Sequence, residues 1–264
     1  MLDLTDINFN DLEKNLLNII NRCFKEIKLI KDKSSYLKKD GTPVTLADKI
    51  INNIITDNLL KLYPAINIIS EEGILNKNNF TDKIYWLIDP IDGTSNYLRG
   101  GSGFTVNIAL IFEGNPVVGI IGHPPTNTVW FGCKNRAYKK MAGKKITLKA
   151  SCNINSPRII VSQNYDNKTE LFVNKINSSE LIKSSSSIKF CKIAEGKADI
   201  YPRLHSIKKW DIAAGDAILR AAGGIIIDKN MTDYNYKTLT VDSGIFFAVS
   251  SKRKWKNIIK PLLI

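Results

Sequence analysis

The segment 84–94 constrains this chain most, because a run of apolar, strand-forming residues ends there in two carboxylates on either side of a proline. Asp89 and Asp92 supply the carboxylates, the carbonyl of Ile91 lies between them, and a Gly-Thr pair follows. Asp, Pro and Gly favour turns, so an ordinary turn is one interpretation. The other is a cation site, because hard divalent cations prefer oxygen ligands and make two neighbouring carboxylates tolerable.

Length and composition predict a soluble globular protein that buries a large core, as one domain or as two tightly joined ones. The chain has 264 residues, of which 44% are hydrophobic and 24% charged, both ordinary values. No apolar run reaches the roughly 18 to 20 residues of a membrane-spanning helix. Asp3 and Asp6 stand where a signal peptide would carry Lys or Arg, so we expect a cytoplasmic location.

The net charge of +13 is compatible with an anionic partner, but its distribution argues against nucleic acid. The Lys and Arg residues are dispersed, and no basic motif with interleaved aromatic residues appears. Electrostatic steering of a phosphate ligand is compatible with this charge. The four cysteines form no Cys-x-x-Cys pair and there are two histidines, so a zinc site or a Ser-His-Asp triad is poorly supported.

The pattern of elements divides the chain near residue 150. Apolar residues recur at helical spacing over residues 9–30 and 46–62, and strand-like runs separated by turns follow. Further along, strands alternate with helices, including a helix predicted over residues 211–222. We therefore expect an α+β half, residues 1–150, with most of the candidate metal ligands, and an α/β half, residues 151–264, that completes a shared cleft.

Acidic residues recur at the ends of apolar segments, where α/β-type folds place ligands. They are Asp48, Glu71, Asp89 with Asp92, and Asp211. Each has an ordinary alternative, since Asp48 can complete a capping box, Glu71 can be a loop carboxylate and Asp211 can favour a helix N-terminus. Glu71 and Asp89 follow runs that resemble adjacent strands, so we expect both at one edge of a sheet. Together these residue types suggest phosphate ester hydrolysis with two cations, which activate water without a histidine base.

Three motifs carry a family resemblance: residues 70–72 (Ser-Glu-Glu), 86–94 (Trp-Leu-Ile-Asp-Pro-Ile-Asp-Gly-Thr) and 210–215 (Trp-Asp-Ile-Ala-Ala-Gly). In this order and approximate spacing they resemble the inositol monophosphatase-like superfamily of Mg²⁺-dependent, lithium-sensitive phosphatases, over nearly the whole chain. The resemblance implies a layered α-β-α-β-α sandwich of the inositol monophosphatase and sugar phosphatase type, of mixed α+β and α/β class. It also implies two or more Mg²⁺ ions in a site between the halves.

Within the superfamily, four stretches most resemble the CysQ-type 3'(2'),5'-bisphosphate nucleotidases, namely residues 39–48, 103–110, 185–191 and 201–203. This branch implies removal of the 3'-phosphate from adenosine 3',5'-bisphosphate to give AMP, a step that recycles a by-product of sulfate activation in sulfur assimilation. Residues 95–97, Ser-Asn-Tyr, depart from the Lys-Glu-Phe of the branch and are closer to the inositol monophosphatases. An inositol or sugar monophosphatase is therefore the alternative.

The resemblance also implies a role for each site residue. One metal ion would be bound by Glu71, Asp89 and the carbonyl of Ile91, and a second by Asp89, Asp92 and Asp211. The assignment of Glu71 as the ligand, in preference to the adjacent glutamate at position 72, rests on the resemblance alone.

Further roles implied by the resemblance concern the water and the substrate. Thr94, backed by Asp48, would orient the nucleophilic water together with Glu71, and the N–H groups of Gly93 and Thr94 would bind the phosphate. The residues expected to border the substrate are Ile91, Asp92, Gly93, Thr94, Asp211, Lys189 and Arg203. The last two are assigned to the phosphate that is not cleaved, since Arg can clamp a phosphate with two N–H groups. Their ordinary alternative is a pair of surface cations.

The expected partner is a small phosphonucleotide, with no nucleic acid. The sequence leaves open a peripheral contact with the cytoplasmic face of the inner membrane, and it leaves open the choice between a monomer and a homodimer. A hypothesis of a different class is a non-catalytic phosphonucleotide-binding or membrane-surface protein that uses the positive charge. The acidic set argues against it, because a pure binder of anions has no need of carboxylates around its ligand.

Overall fold

A computed structural model of the protein describes residues 3–32, 34–38, 41, 43–75, 83–237 and 240–263. The α-helices of these residues are α1 (Phe9–Leu29), α2 (Leu46–Leu62), α3 (Thr94–Leu98), α4 (Asn167–Asn174), α5 (Ile188–Ala194), α6 (Trp210–Ala221) and α7 (Lys252–Leu262). None of the helices in these ranges is both long and apolar enough to cross a lipid bilayer.

The described strands form a hairpin and two sheets. The hairpin pairs β1 (Ser35–Leu37) with β2 (Pro43–Thr45) in antiparallel fashion. The larger sheet contains β3 (Asn67–Ser70), β4 (Gly73–Leu75), β5 (Ile84–Asp92), β6 (Thr105–Phe112), β7 (Asn115–His123), β8 (Thr128–Cys133), β9 (Arg136–Met141) and β10 (Lys144–Thr147). Its order is β10-β9-β8-β7-β6-β5-β3-β4, antiparallel except for the β3–β5 pair.

The smaller sheet lies in the C-terminal part of the chain. Its strands are β11 (Arg158–Ser162), β12 (Glu180–Ser184), β13 (Ile200–Arg203), β14 (Ile225–Asp228) and β15 (Phe246–Val249), in the order β12-β11-β13-β15-β14. The strand β11 is parallel to both of its neighbours, whereas β15 is antiparallel to both of its own. A mixed sheet of this kind suits a segment in which helices connect the strands.

Alternation along β5 assigns its two faces to different layers, because successive strand side chains point to opposite sides of a sheet. Trp86 and Ile88 are buried with the apolar residues of α1 and α2. Tyr85 and Leu87 are buried on the other face with those of α5 and α6, which the smaller sheet covers in turn. The outer face of the smaller sheet packs on α4 and α7. The predicted α-β-α-β-α sandwich is therefore confirmed.

The position of α6 depends on a close approach to the larger sheet. A Cβ atom at Gly119 of β7 would lie 2.3 Å from the carbonyl oxygen of Ala214 and 2.8 Å from Cβ of Ala217, both on α6. Any side chain at position 119 would therefore push the helix away from the sheet. Asp211 is the second residue of α6, so this contact also helps to place a predicted metal ligand.

The helices predicted over residues 9–30 and 46–62 are confirmed as α1 and α2. A helix is predicted to start in the serine run at residues 184–187 and to continue through residue 193; the helix is confirmed, but its predicted start is too early. Ser184 ends β12, Ser186 has a φ of +52°, and α5 begins only at residue 188. The exposed strands β10 and β12 are not predicted, because neither buries a face that would produce apolar alternation. The turn predicted at residues 38–43 lies partly outside the described residues.

Candidate active site

The parallel pairing of β3 with β5 brings Glu71 and Asp89 to one edge of the larger sheet. Ser70 lies opposite Ile88 in the register, and the N–H of Glu71 donates to the carbonyl of Ile88 over 3.1 Å. The residues that follow Ser70 and Ile88 are Glu71 and Asp89, so two carboxylates lie side by side. Two strand-like runs in sequence order predict this adjacency, and the register confirms it.

The chain turns sharply after β5, and the turn requires glycine at position 93. The register between β5 and β6 shifts between Asp89 and Asp92, which bends the strand. Gly93 has a φ of +96°, a conformation that costs an L-residue about 1–2 kcal/mol. A Cβ atom there would also lie 2.5 Å from Oγ of Ser186 and 2.7 Å from the carbonyl of Gly103. The short helix α3 then begins at Thr94.

Asp48 caps a helix and also contacts Thr94. It completes a capping box at the start of α2, since its Oδ2 accepts from the N–H of Thr45 at 2.7 Å and its own N–H donates to the Thr45 hydroxyl at 3.2 Å. Its other oxygen, Oδ1, accepts from the hydroxyl of Thr94 at 3.2 Å. That hydroxyl lies 3.0 Å from the carbonyl of Ile91 as well. The cap therefore fixes a carboxylate directly behind Thr94.

Asp92 is held by hydrogen-bond donors that all go to one of its oxygens. Oδ2 lies 2.8 Å from the hydroxyl of Ser187, 3.4 Å from Nδ2 of Asn107 and 3.5 Å from the hydroxyl of Thr105. Asp211 reaches the same region from the first turn of α6, and its Oδ2 accepts from a backbone N–H at 3.1 Å. The two carboxylates come from different halves of the chain and border one cavity.

Asp89 lies at the centre of the acidic set. Its side chain is 2% exposed, and its Oδ1 has no hydrogen-bond partner among the described residues. Burial raises the pKa of Asp89 well above its ordinary value, and the carboxylates of Glu71, Asp92, Asp211 and Asp48 raise it further. A buried carboxylate that faces other carboxylates is costly unless a cation compensates it. The all-oxygen donor set fits a hard divalent cation such as Mg²⁺.

Asp211 shares this electrostatic environment. Burial raises its pKa well above the ordinary value, and the Asp92 carboxylate contributes in the same direction. Among the described residues, no three acidic, His or Cys side chains are already drawn together around one ion-sized point. The carboxylates are therefore near enough to repel one another without being preassembled in a metal-ligand geometry.

Lys38, in the connection between β1 and β2, contacts Glu71, one of these carboxylates. Its ammonium lies 2.8 Å from Oε1 of Glu71 and 2.7 Å from Oε1 of Glu72. Burial raises the pKa of Glu71, and Lys38 opposes that shift. The sequence gives no signal for this contact, because Lys38 is one of many dispersed lysines.

Replacement of Lys38 should strengthen metal binding. In Lys38→Met the ammonium no longer competes for Glu71 and no longer repels an incoming cation. We expect Mn²⁺ to bind about tenfold more tightly, which corresponds to about 1.4 kcal/mol. Isothermal titration with Mn²⁺ measures this, and Lys83→Met is a matched control, since Lys83 contacts Asp3 and Glu113 instead. An unchanged or weaker affinity in Lys38→Met would contradict the competition.

Lys189 and Arg203 border the same cavity as Asp92 and Asp211, two members of the acidic set. The cavity has a volume of about 190 Å³, and its walls are Asp92, Ser186, Lys189, Phe190, Tyr201, Arg203, Ile207 and Asp211. Two other cavities, of about 280 and 420 Å³, are larger but contain none of the predicted site residues in their walls. The place where anionic and cationic side chains meet is therefore the better candidate for a charged ligand.

The two cations of this cavity are not ordinary surface residues. Lys189 is 6% exposed, and its ammonium donates to the carbonyl of Ser186 at 2.6 Å above the ring of Tyr201. Arg203 donates from one terminal nitrogen to the hydroxyl of Ser162 at 2.9 Å, while its Nε has no partner among the described residues. A buried guanidinium N–H without an acceptor is suited to bind an anionic oxygen.

Three contributors to the site carry no separate signal in the sequence. Ser186 and Ser187 lie in stretches that indicate a subfamily rather than a role, and Asn107 reads as part of an apolar strand. Ser186 donates across the halves, with Oγ 2.8 Å from the carbonyls of both Asp92 and Gly103. These contacts depend on how the halves meet, which no local pattern encodes.

With this geometry established, comparison with known proteins identifies the family. A profile of the inositol monophosphatase family matches residues 4–260, nearly the full chain. The chain belongs to the inositol monophosphatase family. Its fold is correspondingly similar to that of the IMPase of Thermotoga maritima, with a TM-score of 0.78 at 22% identity over 96% of this chain and 98% of the other.

Several relatives of this family member have the name 3'(2'),5'-bisphosphate nucleotidase CysQ. The protein from Buchnera aphidicola is 39% identical over 218 residues, which cover 79% of this chain and 81% of that protein. The protein from Aggregatibacter actinomycetemcomitans is 33% identical, with 90% of each chain covered. The crystal structure of CysQ from Bacteroides thetaiotaomicron, described as a bacterial member of the inositol monophosphatase family, has a TM-score of 0.72 at 28% identity, covering 89% of this chain and 93% of the other.

Proposed function

We propose that this protein is a Mg²⁺-dependent phosphatase that hydrolyses the 3'-phosphate of adenosine 3',5'-bisphosphate. Water adds to phosphorus, the bond from phosphorus to the 3'-oxygen breaks, and that oxygen takes a proton, so that AMP and inorganic phosphate are released. The observation that carries the proposal is one cavity lined both by the carboxylates of Asp92 and Asp211 and by the cations of Lys189 and Arg203. The CysQ names of relatives up to 39% identical to this chain support the substrate class.

The metal ligands in this proposal are Glu71, Asp89, the carbonyl of Ile91, Asp92 and Asp211. When bound, Mg²⁺ supplies Lewis-acid polarisation of the phosphate and lowers the pKa of a water ligand. Asp89 would contribute to both ion sites, which fits its burial and the lack of a partner for its Oδ1 among the described residues. The cations also offset the repulsion among the carboxylates, which is unfavourable without them.

Thr94 and Asp48 orient the attacking water. The Thr94 hydroxyl has one proton, which it can give to Asp48 Oδ1 or to the carbonyl of Ile91. When that proton goes to Asp48, the lone pairs of the hydroxyl can accept from water and turn the water oxygen towards phosphorus. Glu71 is proposed to hold the same water from the other side. The N–H groups of Gly93 and Thr94, at the start of α3, are proposed to bind the phosphate oxygens.

The cationic wall of the cavity is proposed to select a substrate with two phosphates. While the 3'-phosphate lies at the carboxylate end, the 5'-phosphate would meet Lys189 and Arg203. In Arg203→Lys the charge remains but the planar fork of donors is lost. We expect kcat/KM for adenosine 3',5'-bisphosphate to fall about 10- to 100-fold, as expected for a lost hydrogen bond to a charged group. Hydrolysis of inositol 1-phosphate should change little, and equal losses on both substrates would contradict the role.

A substrate panel at fixed Mg²⁺ tests the proposed function. Purified protein should release phosphate faster from adenosine 3',5'-bisphosphate than from inositol 1-phosphate, and lithium should inhibit it. The Ser-Asn-Tyr sequence at residues 95–97 favours the second candidate, an inositol or sugar monophosphatase. The reverse ranking of substrates would establish that candidate. Absence of phosphate release from every ester in the panel would favour a non-catalytic binding protein.

A further inference from the structure

Ser187 lies between the two halves of the candidate site without contacting its cavity. It is 1% exposed and precedes α5. Its Oγ is 2.8 Å from Oδ2 of Asp92 and 2.9 Å from the backbone carbonyl of Asp211. Nδ2 of Asn107, on β6, donates to the same Oγ at 2.7 Å. One hydroxyl therefore lies between the strand that carries Asp92 and the helix that carries Asp211.

The single proton of the Ser187 hydroxyl can go to only one of its two acceptors. Ser187 has one proton and two acceptors in reach, and Asn107 already occupies one of its lone pairs. A hydrogen bond to a carboxylate is roughly twice as strong as one to a neutral carbonyl, so the proton goes to Asp92. The second proton of Asn107 Nδ2 lies towards the same Oδ2, at 3.4 Å. One oxygen of Asp92 thus accepts from Ser187 and Asn107, which are also hydrogen-bonded to each other.

These hydrogen bonds fix the orientation of the Asp92 carboxylate and therefore the position of its other oxygen. With Oδ2 held by donors from β6 and from the start of α5, Oδ1 is the oxygen left to bind a ligand in the cavity, which Asp92 borders. The Oγ also lies 2.9 Å from the carbonyl of Asp211, with no proton left for that oxygen, so this packing contact limits how closely the first turn of α6 can approach Asp92. Both effects act on the pair of carboxylates that the proposed function assigns to one ion.

We propose that Ser187 is a positioning residue for divalent-cation binding, which orients the Asp92 carboxylate and sets its minimum separation from Asp211. The inference rests on the proposed function, because it presumes that these two carboxylates share a cation. Hydrogen-bond partners of metal ligands typically affect metal affinity or activity by about 10- to 100-fold when they are removed. Ser187 itself touches neither substrate nor water in this account.

The test is isothermal titration of Mn²⁺ into the metal-free protein without substrate. Ser187→Ala should weaken Mn²⁺ binding by about 10- to 100-fold. Ser250→Ala is the matched control, since Ser250 is 4% exposed and its hydroxyl has no partner among the described residues. It should bind Mn²⁺ as the wild type does. If Ser187→Ala does not fold, Ser187→Cys, which keeps a weak donor of similar size, should show a smaller loss of at least about threefold.

A kinetic readout separates positioning from a general structural loss. In Ser187→Ala the concentration of Mg²⁺ that gives half-maximal phosphate release should rise, while kcat at saturating Mg²⁺ stays within about threefold of the wild type. Damage to folding would instead lower the active fraction at every Mg²⁺ concentration. Wild-type Mn²⁺ affinity in Ser187→Ala or Ser187→Cys would overturn the inference alone. A wild-type protein that binds no Mn²⁺ would overturn the proposed function together with it.

Discussion

Asp89→Asn should lower phosphate release by about three orders of magnitude or more while leaving the metal-free protein at least as stable as the wild type. In the proposed function Asp89 binds both ions, and a bound metal stabilises the transition state by several kcal/mol. A loss of about 4 kcal/mol of this stabilisation corresponds to a thousandfold lower rate. The substitution keeps the shape of the side chain. It removes a buried negative charge that lies near other carboxylates and has no hydrogen-bond donor at Oδ1 among the described residues. Thermal unfolding in chelator and initial rates in Mg²⁺ measure the two effects.

Asp89→Asn should also change how the stability of the metal-free protein depends on pH. Burial and the neighbouring carboxylates raise the pKa of Asp89 in the folded state, so the folded protein binds more protons than the unfolded chain above the ordinary carboxyl pKa. The free energy of unfolding of the metal-free protein therefore falls as pH rises through that window. In Asp89→Asn this fall should be smaller. Identical pH slopes for the two proteins would contradict the electrostatic description of the site.

Asp216→Asn is the matched control for a buried carboxylate outside the site. Asp216 is fully buried on α6, where it pairs with Arg220 at 2.9 Å and accepts from the hydroxyl of Tyr236 at 3.2 Å. Removal of its charge leaves the half-buried Arg220 guanidinium without its ion-pair partner, which should cost about 3 kcal/mol of stability. The folded fraction should keep a turnover close to that of the wild type. Asp89→Asn should thus lose activity without losing stability, whereas Asp216→Asn should lose stability while its folded fraction keeps its activity.

Gly93→Ala should damage stability and activity together. The methyl group would enter a left-handed conformation at φ +96° and would lie 2.5 Å from Oγ of Ser186 and 2.7 Å from the carbonyl of Gly103. The backbone cost of about 1–2 kcal/mol adds to an overpacking cost of about 1–3 kcal/mol. Because the flanking residues are Asp92 and Thr94, any relief of the clash moves a proposed metal ligand or the water-orienting hydroxyl. Phosphate release should therefore fall at least about 100-fold.

Gly223→Ala isolates the backbone part of that effect. Gly223 has a φ of +94°, almost the same as that of Gly93, but a Cβ atom there has no neighbour within 4 Å among the described atoms. Its substitution should cost only about 1–2 kcal/mol in urea unfolding and should leave kcat/KM unchanged. If Gly93→Ala were no worse than Gly223→Ala in either measurement, the close packing of the turn against Ser186 would not matter to the site.

The sequence predicts where those residues of the candidate site lie whose positions depend on local order. Glu71 and Asp89 end consecutive buried runs, and parallel pairing of those runs places them side by side. The capping box of Asp48 is confirmed, and the oxygen that does not cap α2 contacts Thr94. Asp211 was predicted from its place before an apolar helix, and the first turn of α6 is where it lies.

What the sequence could not predict are the contacts that form only when distant segments meet. Lys38 is indistinguishable from other lysines until the hairpin brings it to Glu71 and Glu72. The serine run reads as a helix start, yet the positive φ of Ser186 delays the helix and allows its hydroxyl to bond across the halves. These features depend on long-range packing rather than on periodicity or residue type.

The location of a divalent cation tests the account most directly. Crystals grown in chelator and then soaked in Mn²⁺ should show anomalous scattering peaks in direct contact with the carboxylates of Glu71, Asp89, Asp92 and Asp211, and the Lys38 ammonium should have left Glu71. Anomalous maps from Asp89→Asn crystals treated identically should lack those peaks. If wild-type crystals show no Mn²⁺ among these four side chains at saturating concentration, they do not form a metal-dependent phosphatase site.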